Sequence, residues 1–104
     1  MITIYGAGDL IKVSGCDGAA EYTPYRLADG LMWSAELRSP DDGHLRVYAI
    51  YDGCWAFGIG LVEEDVPLPS WPVTIRQPVP ASVEPPSTVV LEIDAPPETK
   101  LVGV

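Results

Sequence analysis

The sequence predicts a single all-β, mainly antiparallel domain, a small barrel or a sandwich, and three observations carry that expectation. Eleven prolines and ten glycines punctuate the 104 residues, too densely for long helices, because proline removes a backbone donor and clashes inside a helix. Residues 31–38 alternate, with Leu31, Trp33, Ala35 and Leu37 on one side and Met32, Ser34, Glu36 and Arg38 on the other, the two-residue period of a half-buried strand. Hydrophobic residues make up 47% of the chain, enough for one core at a length that suits one domain, so 1–104 is read as one unit.

Taken in order, residues 3–5 and 10–13 read as short strands around a tight turn at Gly6, Ala7, Gly8 and Asp9. The third glycine of a dinucleotide-binding GxGxxG is missing and no helix follows, so a nucleotide site is not predicted. Residues 19–28 fit a short strand or one helical turn ahead of Pro24, and are read as strand. After the strand at 31–38, Ser39, Pro40, Asp41, Asp42 and Gly43 have the chemistry of a hairpin loop, since proline fixes φ and aspartate bonds its own backbone. A strand at 45–51 follows, then Asp52 and Gly53 as a two-residue turn, then a strand at 54–62. Residues 31–62 are thus a three-strand meander.

In the third strand of that meander, Trp55, Phe57, Ile59 and Leu61 make one bulky face. Cys54, Ala56, Gly58, Gly60 and Val62 make the other, small enough for a close approach by another sheet or for a bulge. Residues 63–69 are an acidic, proline-bounded loop, and 71–76 an edge-type strand because Pro72 cannot donate to a central ladder. Residues 77–86, with four prolines, read as an extended surface connection. Strand character returns at 88–94 and again in the last apolar stretch, 101–104.

Fifteen acidic residues against six basic ones give a formal charge of −9. That charge argues against direct binding of nucleic acid or an anionic membrane and suits a basic protein partner. The longest apolar runs stop far short of the roughly 20 residues a membrane helix needs, and no secretory signal is readable at the N-terminus, so a cytoplasmic location is expected. Cys16 and Cys54 lack a CxxC partner and are expected as free thiols. His44, beside Asp41 and Asp42, is read as part of a solvated turn and not as a metal ligand; no metal or cofactor is expected. The serines include no GxSxG elbow, and the chain is not read as an enzyme. Ile50 and Val90 are each compatible with the core or with a dimer contact, which leaves the oligomeric state open.

The charge feature that stands out is a pair of acidic groups. In an antiparallel meander the loop holding Asp41 and Asp42 lies at the same end as Glu63, Glu64 and Asp65, so the two share one rim able to meet Lys or Arg on a partner. Of the three tryptophans, Trp71, between Ser70 and Pro72, is the one expected at the surface, as an interface anchor.

The stretch from Ile4 to Ile11 (Ile-Tyr-Gly-Ala-Gly-Asp-Leu-Ile), and again Tyr51 to Phe57, resembles a group of small acidic proteins carried by phages and prophages. These commonly open with Tyr-Gly-Ala-Ser-Asp-Asp-Leu-Ile; Gly8 stands where the group has serine, one aspartate is absent, and the likeness covers the first half of the chain. The resemblance implies a host bacterial cytoplasm and a protein that binds and blocks host machinery, including CRISPR effectors. A non-enzymatic inhibitor acting through the acidic loops is therefore the leading expectation. A structural or accessory domain of a phage particle is second, and a ligand-binding barrel, which needs an interior cavity, third.

Overall fold

The computed structural model describes residues 1–7, 9–53, 55–76 and 88–103. Its elements are ten strands with no helix among the described residues: β1 (Ile2–Ala7), β2 (Leu10–Ser14), β3 (Glu21–Tyr22), β4 (Tyr25–Leu27), β5 (Gly30–Arg38), β6 (His44–Tyr51), β7 (Trp55–Gly60), β8 (Val73–Arg76), β9 (Thr88–Ile93) and β10 (Lys100–Gly103). They form two antiparallel sheets. The first runs β3-β2-β1-β9-β8 and the second β10-β5-β6-β7, with β4 beside the start of β5. Neither sheet closes on itself, so of the two expected architectures the chain adopts the sandwich.

The meander is present, with Leu31 to Arg38 paired residue for residue against Tyr51 to His44, and Tyr51 to Arg46 against Trp55 to Gly60. The alternation of β5 is realised fully: Leu31, Trp33, Ala35 and Leu37 are buried while Met32 and Arg38 are exposed. Leu45, Val47 and Ala49 answer them from β6. Ile2 and Ile4 of β1, Ile11 and Val13 of β2, and Val89, Leu91 and Ile93 of β9 complete one continuous core from the first sheet. Burying such side chains contributes roughly 1.5–3 kcal/mol each, and β1, β2 and β9, each flanked on both sides, supply the first sheet's share.

Three expectations change at the level of register. Ala7 pairs with Leu10, so the strand runs through Gly6, which belongs to the ladder and not to the turn. A Cβ on Gly6 would lie 2.4 Å from Cγ and 2.5 Å from Cδ1 of Trp55; the glycine is needed because the indole from the opposite sheet rests on the β1 backbone. The register sets Tyr51 opposite Trp55, further along than a two-residue turn at 52 and 53 would close, with Gly53 at φ 86° supplying the left-handed position. In β7 only Trp55 of the bulky face is buried. Phe57 is half-buried, and Ile59 and Leu61 are exposed, because β7 is the outermost strand of its sheet and the strand ends at Gly60.

Elsewhere β8 lies at a sheet edge, as Pro72 requires, and residues 19–28 contain the two short strands β3 and β4. Cys16 is a free thiol; Cys54 and the proline-rich stretch 77–86 lie outside the described residues, apart from which no helix is long and apolar enough to cross a membrane.

Trp33 and Trp55, each 2% exposed, are the two largest side chains in the core. Trp33 stacks at a tilt on Tyr22, ring centroids 5.9 Å apart, and Trp55 sits between Tyr51 and Phe57. The Trp33 Nε1–H has no hydrogen-bond partner among the described residues. Two outcomes of urea denaturation are expected. Gly6→Ala overpacks the intersheet contact and lowers stability by about 1–3 kcal/mol. Trp33→Phe, which removes an unsatisfied donor together with some area, costs under about 1.5 kcal/mol, whereas Trp33→Ala costs about 3–5 kcal/mol.

Candidate functional site

The β5–β6 loop is organised around Ser39, a polar residue 3% exposed. Its amide donates to the Gly43 carbonyl (2.9 Å) and its carbonyl accepts from the Asp42 amide (3.2 Å). Its hydroxyl donates to Oδ1 of Asp41 and accepts from the Gly43 amide (2.9 Å). The last turn of the loop places Asp42 at φ 65°, a left-handed conformation that aspartate tolerates better than most side chains. Loop geometry thus projects Asp41 and Asp42 outward from a buried hydroxyl. The hydrogen bond from Ser39 holds the Asp41 carboxyl below the usual carboxylate range, since a donor to the charged form favours ionisation.

Against this loop lies the segment that carries the chain from the second sheet to the first. Trp71 packs over Gly43, where a Cβ would come within 2.9 Å of Cζ2 of the indole and 2.7 Å of the Ser39 hydroxyl. The 41–43 loop on one side and residues 66–71 on the other enclose a groove of about 290 Å³. Its walls are Asp41 and Asp42 on one lip, Leu68 (48% exposed) and the half-buried Val66, Pro69 and Trp71 on the other. Of the residues expected to form a binding rim, the fold therefore brings Asp41, Asp42 and Trp71 together. Glu63, Glu64 and Asp65 are all exposed and form the turn leading into that wall, closed by the Val66 amide on the Glu63 carbonyl (3.1 Å); they flank the groove without lining it. Trp71, the least buried of the tryptophans, is half-buried, with one edge packed against the core and the other in the groove wall.

His44 departs from the expectation of a solvated turn residue. It opens β6, and its Nδ1 lies 3.0 Å from Oε1 of Glu36, whose other oxygen is 3.8 Å from Nη2 of Arg46. The three side chains are 18–30% exposed, so the histidine is part of a cross-strand charge cluster on the outer face of the second sheet. Sequence reading missed Glu36 as its partner, although the signal was there: Glu36 and Arg46 are direct register partners and Arg38 pairs with His44, which puts Glu36 and His44 on one diagonal. Among the described residues no three His, Cys, Asp or Glu side chains converge as a metal-binding set would. Burial raises the Cys16 thiol above its usual range, which lowers its thiolate fraction near neutral pH.

Wider recesses are also open to solvent, two of them beside β10 and the residues that lead into it. One, of about 510 Å³, is bordered by Arg38 and Lys100 with Asp17, Asp42 and Glu98. The other, of about 680 Å³, lies between the N-terminus and residues 94–99. The groove beside Trp71 differs from both in carrying an aromatic side chain in its wall, opposite its two carboxylates.

Carboxyl NMR titration checks the design of the loop. Asp41 is expected to titrate below the ordinary aspartate range, and Ser39→Ala is expected to return it to that range. With a folded value below the unfolded one, Asp41 contributes stability above its unfolded pKa and loses that contribution as pH falls through the folded value. Ser39→Ala should therefore show a smaller loss of stability on acidification.

Comparison of the chain with family models, with curated proteins and with solved structures gave no match.

Proposed function

We propose that this domain is a non-enzymatic, protein-binding inhibitor of phage or prophage origin that takes a Lys/Arg-rich partner surface against its acidic groove, a CRISPR effector being the leading case. The observation that carries this reading is the groove itself, where Asp41 and Asp42 face an apolar wall of Val66, Leu68 and Trp71. A carboxylate lip beside an aromatic anchor suits a basic protein surface: charge steers the encounter and fixes register, and apolar contact retains the complex. Nucleic-acid-binding channels of CRISPR effectors are rich in such basic surface. Glu63, Glu64 and Asp65, outside the groove but beside it, extend the same field toward solvent.

A structural or accessory role in a larger assembly is the second reading, and the exposed apolar row on the outer face of the second sheet favours it. Affinity capture by the tagged domain from bacterial lysates expressing CRISPR effectors, at low and high salt, separates the two. Stoichiometric recovery of an effector subunit, lost at high salt, supports inhibition; recovery of phage structural proteins moves the reading to assembly.

The two acidic groups are expected to act differently in that assay. Asp41→Lys with Asp42→Asn, which keeps a residue tolerant of positive φ at 42, should raise the dissociation constant at least about tenfold, as loss of a contact at the anchor does. Glu63→Lys, Glu64→Lys and Asp65→Lys together should chiefly slow association and flatten its salt dependence. Inhibition unchanged by both sets would sink the acidic-groove reading.

A further inference from the structure

The strands of the second sheet bury one face and leave the other bare. On the bare face, register places Tyr25, Met32, Ile50 and Ala56 side by side across β4, β5, β6 and β7. Tyr25 is 72% exposed, Ile50 54% and Met32 39%, so the row is a contiguous apolar strip of the kind that marks interaction surfaces. The next rows are Ser34, Tyr48 and Gly58, then Glu36, Arg46 and Gly60.

We propose that this face is the interface of a twofold dimer with a second copy of the chain, the axis running along the strands between β5 and β6. Such an axis lays β5 of one copy over β6 of the other. Met32 then meets the partner's Ile50, and Glu36 meets the partner's Arg46 in both directions. Tyr25, the largest and most exposed side chain of the row, meets the partner's Ala56 on the small-residue strand. The Glu36–Arg46 row is thus self-complementary in charge, because acid and base are direct register partners, while the row beyond it sets Arg38 over the partner's His44; the face is also self-complementary in shape, because the large outer strand is matched by a small one.

Area and field are consistent with that occupant. At about 3.4 Å per residue and about 4.8 Å per strand, β4, β5, β6, β7 and β10 cover on the order of 500 Å² in projection, and a corrugated surface of that footprint approaches the about 800 Å² per partner of a standard interface. Glu36 is the one acid on the strands of this sheet, against Arg26, Arg38, Arg46 and Lys100, so the −9 of the chain is carried elsewhere. At physiological salt, charges more than about 8 Å from the contact are largely screened. The proposal is independent of which partner the groove takes.

Sedimentation velocity and equilibrium on the full chain at 150 mM salt test it. The expected result is a dimer at about 100 μM, with Ile50→Lys raising the dissociation constant at least about tenfold. Glu36→Arg should weaken the dimer, and Glu36→Arg combined with Arg46→Glu should restore it, a rescue that unspecific apolar association would not give. Ile50 is exposed, so Ile50→Lys should keep the wild-type urea midpoint and amide dispersion. A chain that stays monomeric to about 1 mM overturns the proposal and leaves the face to a partner of other sequence. A dimer indifferent to Ile50→Lys overturns it as well, and loss without rescue by the charge exchange overturns the assigned axis.

Discussion

The sandwich depends on one intersheet contact, the indole of Trp55 lying on the backbone of Gly6. Two sheets pack about 10 Å apart when ordinary side chains interdigitate. Trp55 is the first residue of β7, an outer strand, and must reach β1, the central strand of the other sheet. Only a residue without a Cβ lets the ring settle there. Trp33, two strands further in on β5 and stacked on Tyr22, closes the other flank of the core. Between the two indoles the aliphatic side chains of β1, β6 and β9 fill the interior, and the recesses beside the loops open to solvent.

That packing decides where chemistry can sit. Strand interiors are committed to alternation, so the loops at the ends carry the acidic groups, and the outer sheet faces carry the rest. The 39–43 loop gains its rigidity from a buried hydroxyl that bonds both a carboxylate and an amide within five residues. Its neighbour across the groove is anchored by Trp71 on Gly43. A second small-residue contact, like Gly6 under Trp55, thus joins the two sheets at the groove and fixes its width.

Much of this was legible in the sequence because the physics is local. The alternation of β5, the Pro-Asp-Asp-Gly loop and the edge position forced by Pro72 each follow from residues a few positions apart. The shared end of Asp41, Asp42 and residues 63–65 followed from counting strands. What was not legible depends on partners distant in sequence. Gly6 carries the same letter whether it turns the chain or receives an indole, and only the position of Trp55 decides. His44 next to two aspartates looks like a turn residue until Glu36 is placed diagonally across the ladder. The bulky row of β7 predicted more burial than it has, because alternation reports which face a side chain takes and not whether a second sheet extends far enough to cover it.

Charge follows the same division between strands and loops. The strands of the second sheet hold Arg26, Arg38, Arg46 and Lys100 against Glu36, a formal +3, so the rest of the chain carries −12 to reach −9. Cations in the first sheet are paired with its own acids, Lys12 with Glu21 and Arg76 with Glu92, and the surplus of carboxylates falls in turns and connections. A chain with this distribution repels other acidic surfaces at its rims while keeping one broad face close to neutral or slightly positive. Net charge alone would argue against any contact between copies. At a separation beyond the Debye length, however, the surface that decides association is the one in contact, and here that surface pairs its own acid with its own base.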